Sequence, residues 1–310
     1  MGVVVAVPSG SRDTNHDDGD AATIVPHELR DAVLSWYDAR GRSLPFRATR
    51  DPYAILVSEA MAQQTQIARA AEKWVGFMAA FPTVSALAMA SAADVLRAWR
   101  GLGYNRRAVN LRRAAQEIVA RHGGHVPDDL AELERLPGIG PYTARAVAAI
   151  AFGHRVGPVD TNVRRVLARV AGRAMDPREL QALADAVVPA ERPGDWTHAV
   201  MDVGATFCRP RPACEECPAR PWCRFAAVAV PAQPSARRRA APRFASTSRW
   251  LRGRILDRLR DEPVDGWTTF GDDIGEHDKP RIVGALRALA ADGLLELDEG
   301  IVVRARLPTG

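Results

Sequence analysis

The chain has 310 residues, enough for two domains of ordinary size and a sizeable core. Lys and Arg outnumber Asp and Glu by 42 to 37, and the resulting net charge of +5, almost all of it arginine, suits a polyanionic partner without identifying one. No apolar run approaches the ~20 residues of a membrane span, and the opening MGVVVAVPSG is too short and uncharged for a signal peptide, so a cytoplasmic protein without a membrane partner is expected.

Residues 1–25 are rich in Gly, Ser, Asp and Ala without periodicity and read as a flexible tail. From Pro26 to about Phe225 apolar residues recur at helical spacing, predicting helices over 27–40, 52–66, 68–80, 91–98, 106–121, 128–135, 142–152, 162–171, 177–188 and 196–206, an all-α domain. In the second of these, Glu59 shares a face with Ile55 and Ala62. A carboxylate there is costly unless paired or protonated. Burial would raise its pKa and suit a general acid or base, the alternative being a salt bridge to an arginine.

Two similar turns, Gly101-Leu102-Gly103 and Gly138-Ile139-Gly140, each precede a helix. Gly138 and Gly140 lack a Cβ and so give access to left-handed backbone. Pro141 fits the first helical position, where its missing amide costs nothing. The helix N-terminus so formed suits a phosphate oxygen, although such a turn is often no more than a turn. Asp160 follows 22 positions after Gly138, among Val156, Val159 and Val163, and reads either as a functional anion or as a helix N-cap.

All four cysteines, Cys208, Cys214, Cys217 and Cys223, fall within sixteen residues. Such clustering in a reducing compartment points to a metal rather than to disulfides. Zinc usually takes two close pairs, and only Cys214 and Cys217 make one. The irregular spacing favours a [4Fe-4S] cluster, with zinc as the alternative. A linker rich in Pro, Ala and Arg follows over 226–247. In 248–310, helices over 249–261 and 279–292 lead into LLELDEGIVVRARL, which alternates around an Asp-Glu-Gly turn. Helix, helix, hairpin is the order of a winged-helix-like α+β domain, with or without DNA contact.

Taken together, LVSEAMAQQTQ, GLGY, LPGIGPYTA, VDTN and the cysteine run resemble the helix-hairpin-helix DNA glycosylases, and within them the MutY-type adenine glycosylases, over residues 27–225. The resemblance implies a two-lobed helical fold over 26–225 with its active site in the cleft, a [4Fe-4S] cluster on the four cysteines, and a monomer that flips an adenine out of mismatched double-stranded DNA in the nucleoid. By position, Glu59 matches the general acid that protonates the departing adenine, Asp160 the carboxylate that stabilises the sugar cation, and Asn162 a polar neighbour that positions the attacking group. Tyr142 stands where the bifunctional endonuclease III branch carries a lysine, which implies a monofunctional enzyme. Gln64 and Tyr104 match residues wedged into the base stack, Arg47 an arginine near the flipped base, and Gln63, Gly138 and Gly140 further DNA contacts. Ala62, Ile67 and His198 match the base pocket.

The chain also departs from the family. Phe46 replaces a Trp, Asn105 the second Tyr of a GLGYY turn, and Ala62 a leucine. The first cysteine gap is five rather than six. The familiar C-terminal domain that recognises 8-oxoguanine has no counterpart in 248–307. The expected activity is removal of adenine opposite 8-oxoguanine or guanine in base excision repair. The alternatives are a thymine or uracil mismatch glycosylase and a non-catalytic iron-sulfur DNA-binding protein.

Overall fold

The computed structural model describes residues 18–227, 243–263 and 265–309. Residues 1–17 of the expected tail and 228–242 of the expected linker, Arg237, Arg238 and Arg239 included, lie outside the described residues. In chain order the helices are α1 (Asp18–Ile24), α2 (His27–Arg40), α3 (Pro52–Ala62), α4 (Ile67–Ala80), α5 (Val84–Met89), α6 (Ala92–Ala98), α7 (Arg106–His122), α8 (Leu130–Arg135) and α9 (Pro141–Ala151). They continue with α10 (Thr161–Ala171), α11 (Pro177–Ala186), α12 (Pro193–Thr206), α13 (Arg224–Ala227), α14 (Ser248–Asp261) and α15 (Lys279–Ala291). Strands β1 (Thr268–Thr269), β2 (Glu296–Glu299) and β3 (Val303–Arg306) form one antiparallel sheet in the order β1-β3-β2. No described helix is long and apolar enough to cross a membrane.

Three differences from the sequence reading have local causes. α1 lies inside the segment read as a tail, and its Ala21 and Ile24 are buried in a core, a tertiary contact that composition does not reveal. α3 stops at Ala62 rather than at 66, because Gln64 takes a left-handed backbone with φ of 53°. α5 and β1 were not foreseen: six residues and two residues are too short to show a period.

The described residues divide into two compact units. In the first, α1, α2 and α10–α13 pack around one core. α10 contributes Val163, Val166, Leu167 and Val170, spaced to fall on one helical face, against Leu29 and Val33 of α2 and Trp196, Val200 and Val203 of α12. Asp202 of α12 is wholly buried, and its carboxylate accepts from the Arg42 backbone N–H (2.9 Å) and Nε (2.7 Å). A buried carboxylate held by a guanidinium and an amide is a structural pair.

The second unit holds α3–α9, α14, α15 and the sheet. Trp99 is fully buried, its ring edge-on to Phe77 at 5.8 Å, and Phe77 meets Phe81 at 4.9 Å. Ile255 and Leu259 of α14, Ile282, Leu286 and Leu289 of α15, and Ala305 of β3 are buried in the C-terminal module. That module is fastened to α6 and the turn after it. Arg260 donates to the Leu96 carbonyl (2.9 Å), Ala93 N–H to the Pro308 carbonyl (3.1 Å), and Arg100 pairs with Asp261 (2.5 Å).

Candidate active site and nucleic-acid interface

In the second unit, α3 is set by Pro52 in its first turn and by Asp51, whose carboxylate accepts from the Tyr53 N–H at 3.0 Å. The helix is buried on nearly every side. Between Tyr53 and Met61, Glu59 is the one residue that is not fully buried. A half-buried carboxylate on an otherwise apolar helix is the placement that an acid-base group needs. Just beyond the helix, Gln63 turns inward and its amide donates to Thr143 Oγ1 on α9 (3.1 Å), while Gln64 is exposed. Ala62 and Ile67 are half-buried on either side of this turn. Arg47 is half-buried at the end of a short 3-10 turn, Pro45–Arg47, whose Phe46 is buried edge-on to Trp74 at 6.1 Å.

Arg107, which nothing in the sequence singles out, holds this region together. Its Nη1 donates to the carbonyls of Ala60 (2.8 Å), Met61 (3.0 Å) and Gln63 (2.5 Å), the free C-terminal end of α3. Its Nη2 donates to Thr65 Oγ1 and to the carbonyls of Leu102 and Gly103, each at 3.1 Å. One guanidinium therefore ties the Gln63–Thr65 turn to the 101–104 turn. Burial pulls its pKa down to about 10, which leaves it a cation near neutrality. In the second turn Gly101 and Gly103 are left-handed, and so is Tyr104 with φ of 43°, its ring 43% exposed. Gln64 and Tyr104 are the non-glycine left-handed residues among those described.

The 138–140 turn is built as the sequence suggested, with one change. Gly138 is left-handed (φ 79°), and a Cβ there would fall 2.7 Å from Asn110 Cβ. Gly140 is extended (φ −98°, ψ 177°), and nothing lies within 4 Å of where its Cβ would be. Its contribution is open space in front of the α9 N-terminus rather than a left-handed turn. Tyr142 sits half-buried in the first turn of α9.

In the first unit, Asp160 is the N-cap of α10. Its Oδ1 accepts from the Asn162 N–H (2.8 Å) and the Val163 N–H (2.7 Å), and its Oδ2 from the Asn162 side-chain amide (3.0 Å). The capping reading is correct as structure and leaves the chemical one intact, because three donors also fix the carboxylate's direction. Asn162 is held in turn by Arg165, whose Nη2 donates to Asn162 Oδ1 (2.7 Å) and the Gly204 carbonyl (2.8 Å) and whose Nε donates to the Cys208 carbonyl. A Cβ on Gly204 would fall 2.6 Å from Asn162 Cβ, so only glycine lets α12 approach the start of α10 this closely. Arg165 and Gly204 are positioning residues that sequence reading missed. His198 of α12 is buried, its ring facing Tyr37 at 6.3 Å.

Cys208, Cys214, Cys217 and Cys223 line one small pocket of this unit together with Arg169 and Phe225. Arg169 donates to Cys208 Sγ (3.3 Å) and stacks over the Phe225 ring (4.6 Å). Burial pushes the Cys217 thiol up to about 11 and raises that of Cys223. Among the described residues no three His, Cys, Asp or Glu side chains are grouped so as to hold a single metal ion.

The family model for HhH-GPD superfamily base excision DNA repair proteins matches residues 57–190. The chain is 41% identical over 280 residues to an adenine DNA glycosylase of Mycolicibacterium smegmatis, covering 88% of this chain and 93% of that protein. It is 44% identical over 212 residues to the adenine DNA glycosylase of Homo sapiens, covering 63% of this chain but only 39% of the human protein. Among solved structures, a thermostable thymine-DNA glycosylase matches with a TM-score of 0.60 and 27% identity, over 69% of this chain and 98% of that one. Endonuclease III in a non-covalent DNA complex matches with a TM-score of 0.56 at 23% identity, over 65% of this chain and 94% of that one, a likeness of fold. With 41% identity spanning more than nine tenths of such relatives, the chain belongs to the adenine DNA glycosylases of the HhH-GPD superfamily of base excision DNA repair proteins.

Proposed function

We propose that the protein is a monofunctional DNA glycosylase that removes adenine mispaired with 8-oxoguanine or guanine. The observation that carries this reading is the Asp160 carboxylate, aimed by three donors from the start of α10. Together with Glu59 it supplies the two groups that base release requires. Glu59 donates a proton to the adenine ring, the bond between the sugar C1′ and the base nitrogen breaks with its electron pair leaving on the base, and Asp160 offsets the positive charge left on the sugar until water adds. Asn162 holds Asp160 and the attacking water in line. Tyr142 offers no amine, so no Schiff base forms and the strand stays intact. The open N-terminus of α9 receives a phosphate.

The activity is tested with duplexes carrying A:8-oxoguanine, A:G, T:G and U:G, scored by alkali-induced cleavage. Cleavage confined to the two adenine duplexes is expected. Release of thymine or uracil instead would favour the second reading, for which the likeness to a thymine-DNA glycosylase speaks.

Cys208, Cys214, Cys217 and Cys223 are the residues that would hold a [4Fe-4S] cluster. The four cysteines line one pocket and are irregularly spaced in the sequence, which suits one thiolate per iron. When bound, such a cluster supplies a cross-link for the 208–223 loop. Protein purified without oxygen is expected to be brown, with about four irons per chain. Stoichiometric zinc without iron would exclude the cluster. The C-terminal module follows the element order of a winged helix, and its face toward the 101–107 turn is the part that bears on DNA.

A further inference from the structure

Within the second unit, a groove of about 780 Å³ runs between the Gln63–Gln64 turn, the 101–107 turn and the first half of α14. Seven arginines and two carboxylates line it, Asp257 and Asp292. Both carboxylates are engaged by arginines: Asp257 by Arg254 and Arg260, Asp292 by Arg252 (2.5 Å) and Arg106 (3.5 Å). Arg249 is different. It is exposed at the start of α14, its guanidinium lies 4.4 Å over the Tyr104 ring and 6.0 Å from the Phe244 ring, and among the described residues no carboxylate pairs with it. Tyr104 and Phe244 are themselves 43% and 61% exposed. The groove thus presents a stack of aromatic rings and a guanidinium plane, excess positive charge, and two left-handed residues, Gln64 and Tyr104, on its wall.

Asn105, which departs from the family's second tyrosine, accepts from Arg260 Nη2 of α14 at 2.6 Å. The departure is part of the fastening that brings Arg249 over Tyr104. Exposed aromatic faces with arginine suit an unstacked nucleobase, and the surrounding charge suits its backbone. A guanidinium stacked by its face keeps its edge N–H groups free for O6, the acceptor that guanine and 8-oxoguanine share, where cytosine presents an N4 donor on its major-groove edge.

We propose that this groove seats the DNA strand opposite the one that loses its base, and that Arg249 is a specificity-determining residue that stacks with Tyr104 and donates to the orphaned guanine-type base. This rests on the glycosylase reading above, and its test separates the two. Binding of the full chain is measured by fluorescence anisotropy on duplexes with a tetrahydrofuran abasic analogue placed opposite guanine, 8-oxoguanine or cytosine, and on a fully paired duplex. The wild type is expected to prefer the two guanine-type duplexes. Arg249→Ala is expected to lose about tenfold on those two, bringing them level with cytosine, while binding of the paired duplex changes little. Arg249→Lys keeps the charge but not the plane, and is expected to lose the preference as well. Arg249 is exposed, so both variants should fold, which circular dichroism checks. A wild type that does not discriminate, an Arg249→Ala that still does, or an equal loss on all four duplexes, as from a simple phosphate contact, would overturn the proposal. Failure of the glycosylase reading would show separately, as absence of base release by the wild type.

Discussion

Glu59→Gln is expected to bind a mismatched duplex as the wild type does and to release its base about 100-fold to 10,000-fold more slowly in a single turnover. The amide preserves the shape of a half-buried side chain on a helix whose neighbours from Tyr53 to Met61 are all buried, so packing and DNA affinity have little reason to change. What it loses is a proton that can be given to the departing base. Asp160→Asn should show a loss of the same order for a different reason. Asparagine can still accept through one oxygen at the start of α10, but its NH2 would face one of the donors that now meet Oδ1 or Oδ2, and the charge that opposes the sugar cation is gone. The control is Asp202→Asn. That carboxylate is buried against Arg42, so its loss should lower the melting temperature and leave the single-turnover rate of the folded protein near normal. Near-normal rates for both Glu59→Gln and Asp160→Asn would remove the catalytic assignment and make the non-catalytic DNA-binding reading the better one.

The candidate catalytic and ligand residues could be picked out of the sequence because each announces itself within a few positions. Glu59 breaks an apolar helical pattern, Asp160 precedes a helix start, and the cysteines crowd sixteen residues. What holds these groups was not legible. Arg165 and Arg107 look like any other arginine in an arginine-rich chain, and their roles come from carbonyls 39 and 47 positions away. Gly204 is a glycine inside a helix, which sequence alone reads as a weak point and the structure shows to be the place where α12 meets Asn162. The C-terminal hairpin was visible from its alternation, whereas β1, two residues pairing Thr268 with Ala305 and Thr269 with Arg304, was visible only from its partner strand. Gln63 and Gln64 are adjacent and chemically identical. Backbone handedness separates them, turning one toward Thr143 and leaving the other exposed.

Arg107→Ala is expected to destabilise the second unit by about 3 kcal/mol. The side chain serves seven acceptors at once, and three of them are carbonyls at the end of α3 that have no helical partner. Truncation leaves these groups half-buried with only water to replace a charged donor, and charge-assisted hydrogen bonds are about twice as strong as neutral ones. For a unit of this size the loss corresponds to a fall in melting temperature of roughly 6–12 °C, measured by calorimetry. Arg107→Lys should recover little of it, because an ammonium cannot reach both turns with a planar fork. A second effect separates this from ordinary core damage. Arg107 is what binds the Gln64 turn to the Tyr104 turn, so the variant should also lose its preference for mismatched over paired duplex at temperatures where it remains folded. A variant that melts as the wild type does would mean that the two turns are held by their own backbones, and a variant that melts early yet keeps its preference would mean that their left-handed geometry does not depend on the bridge between them.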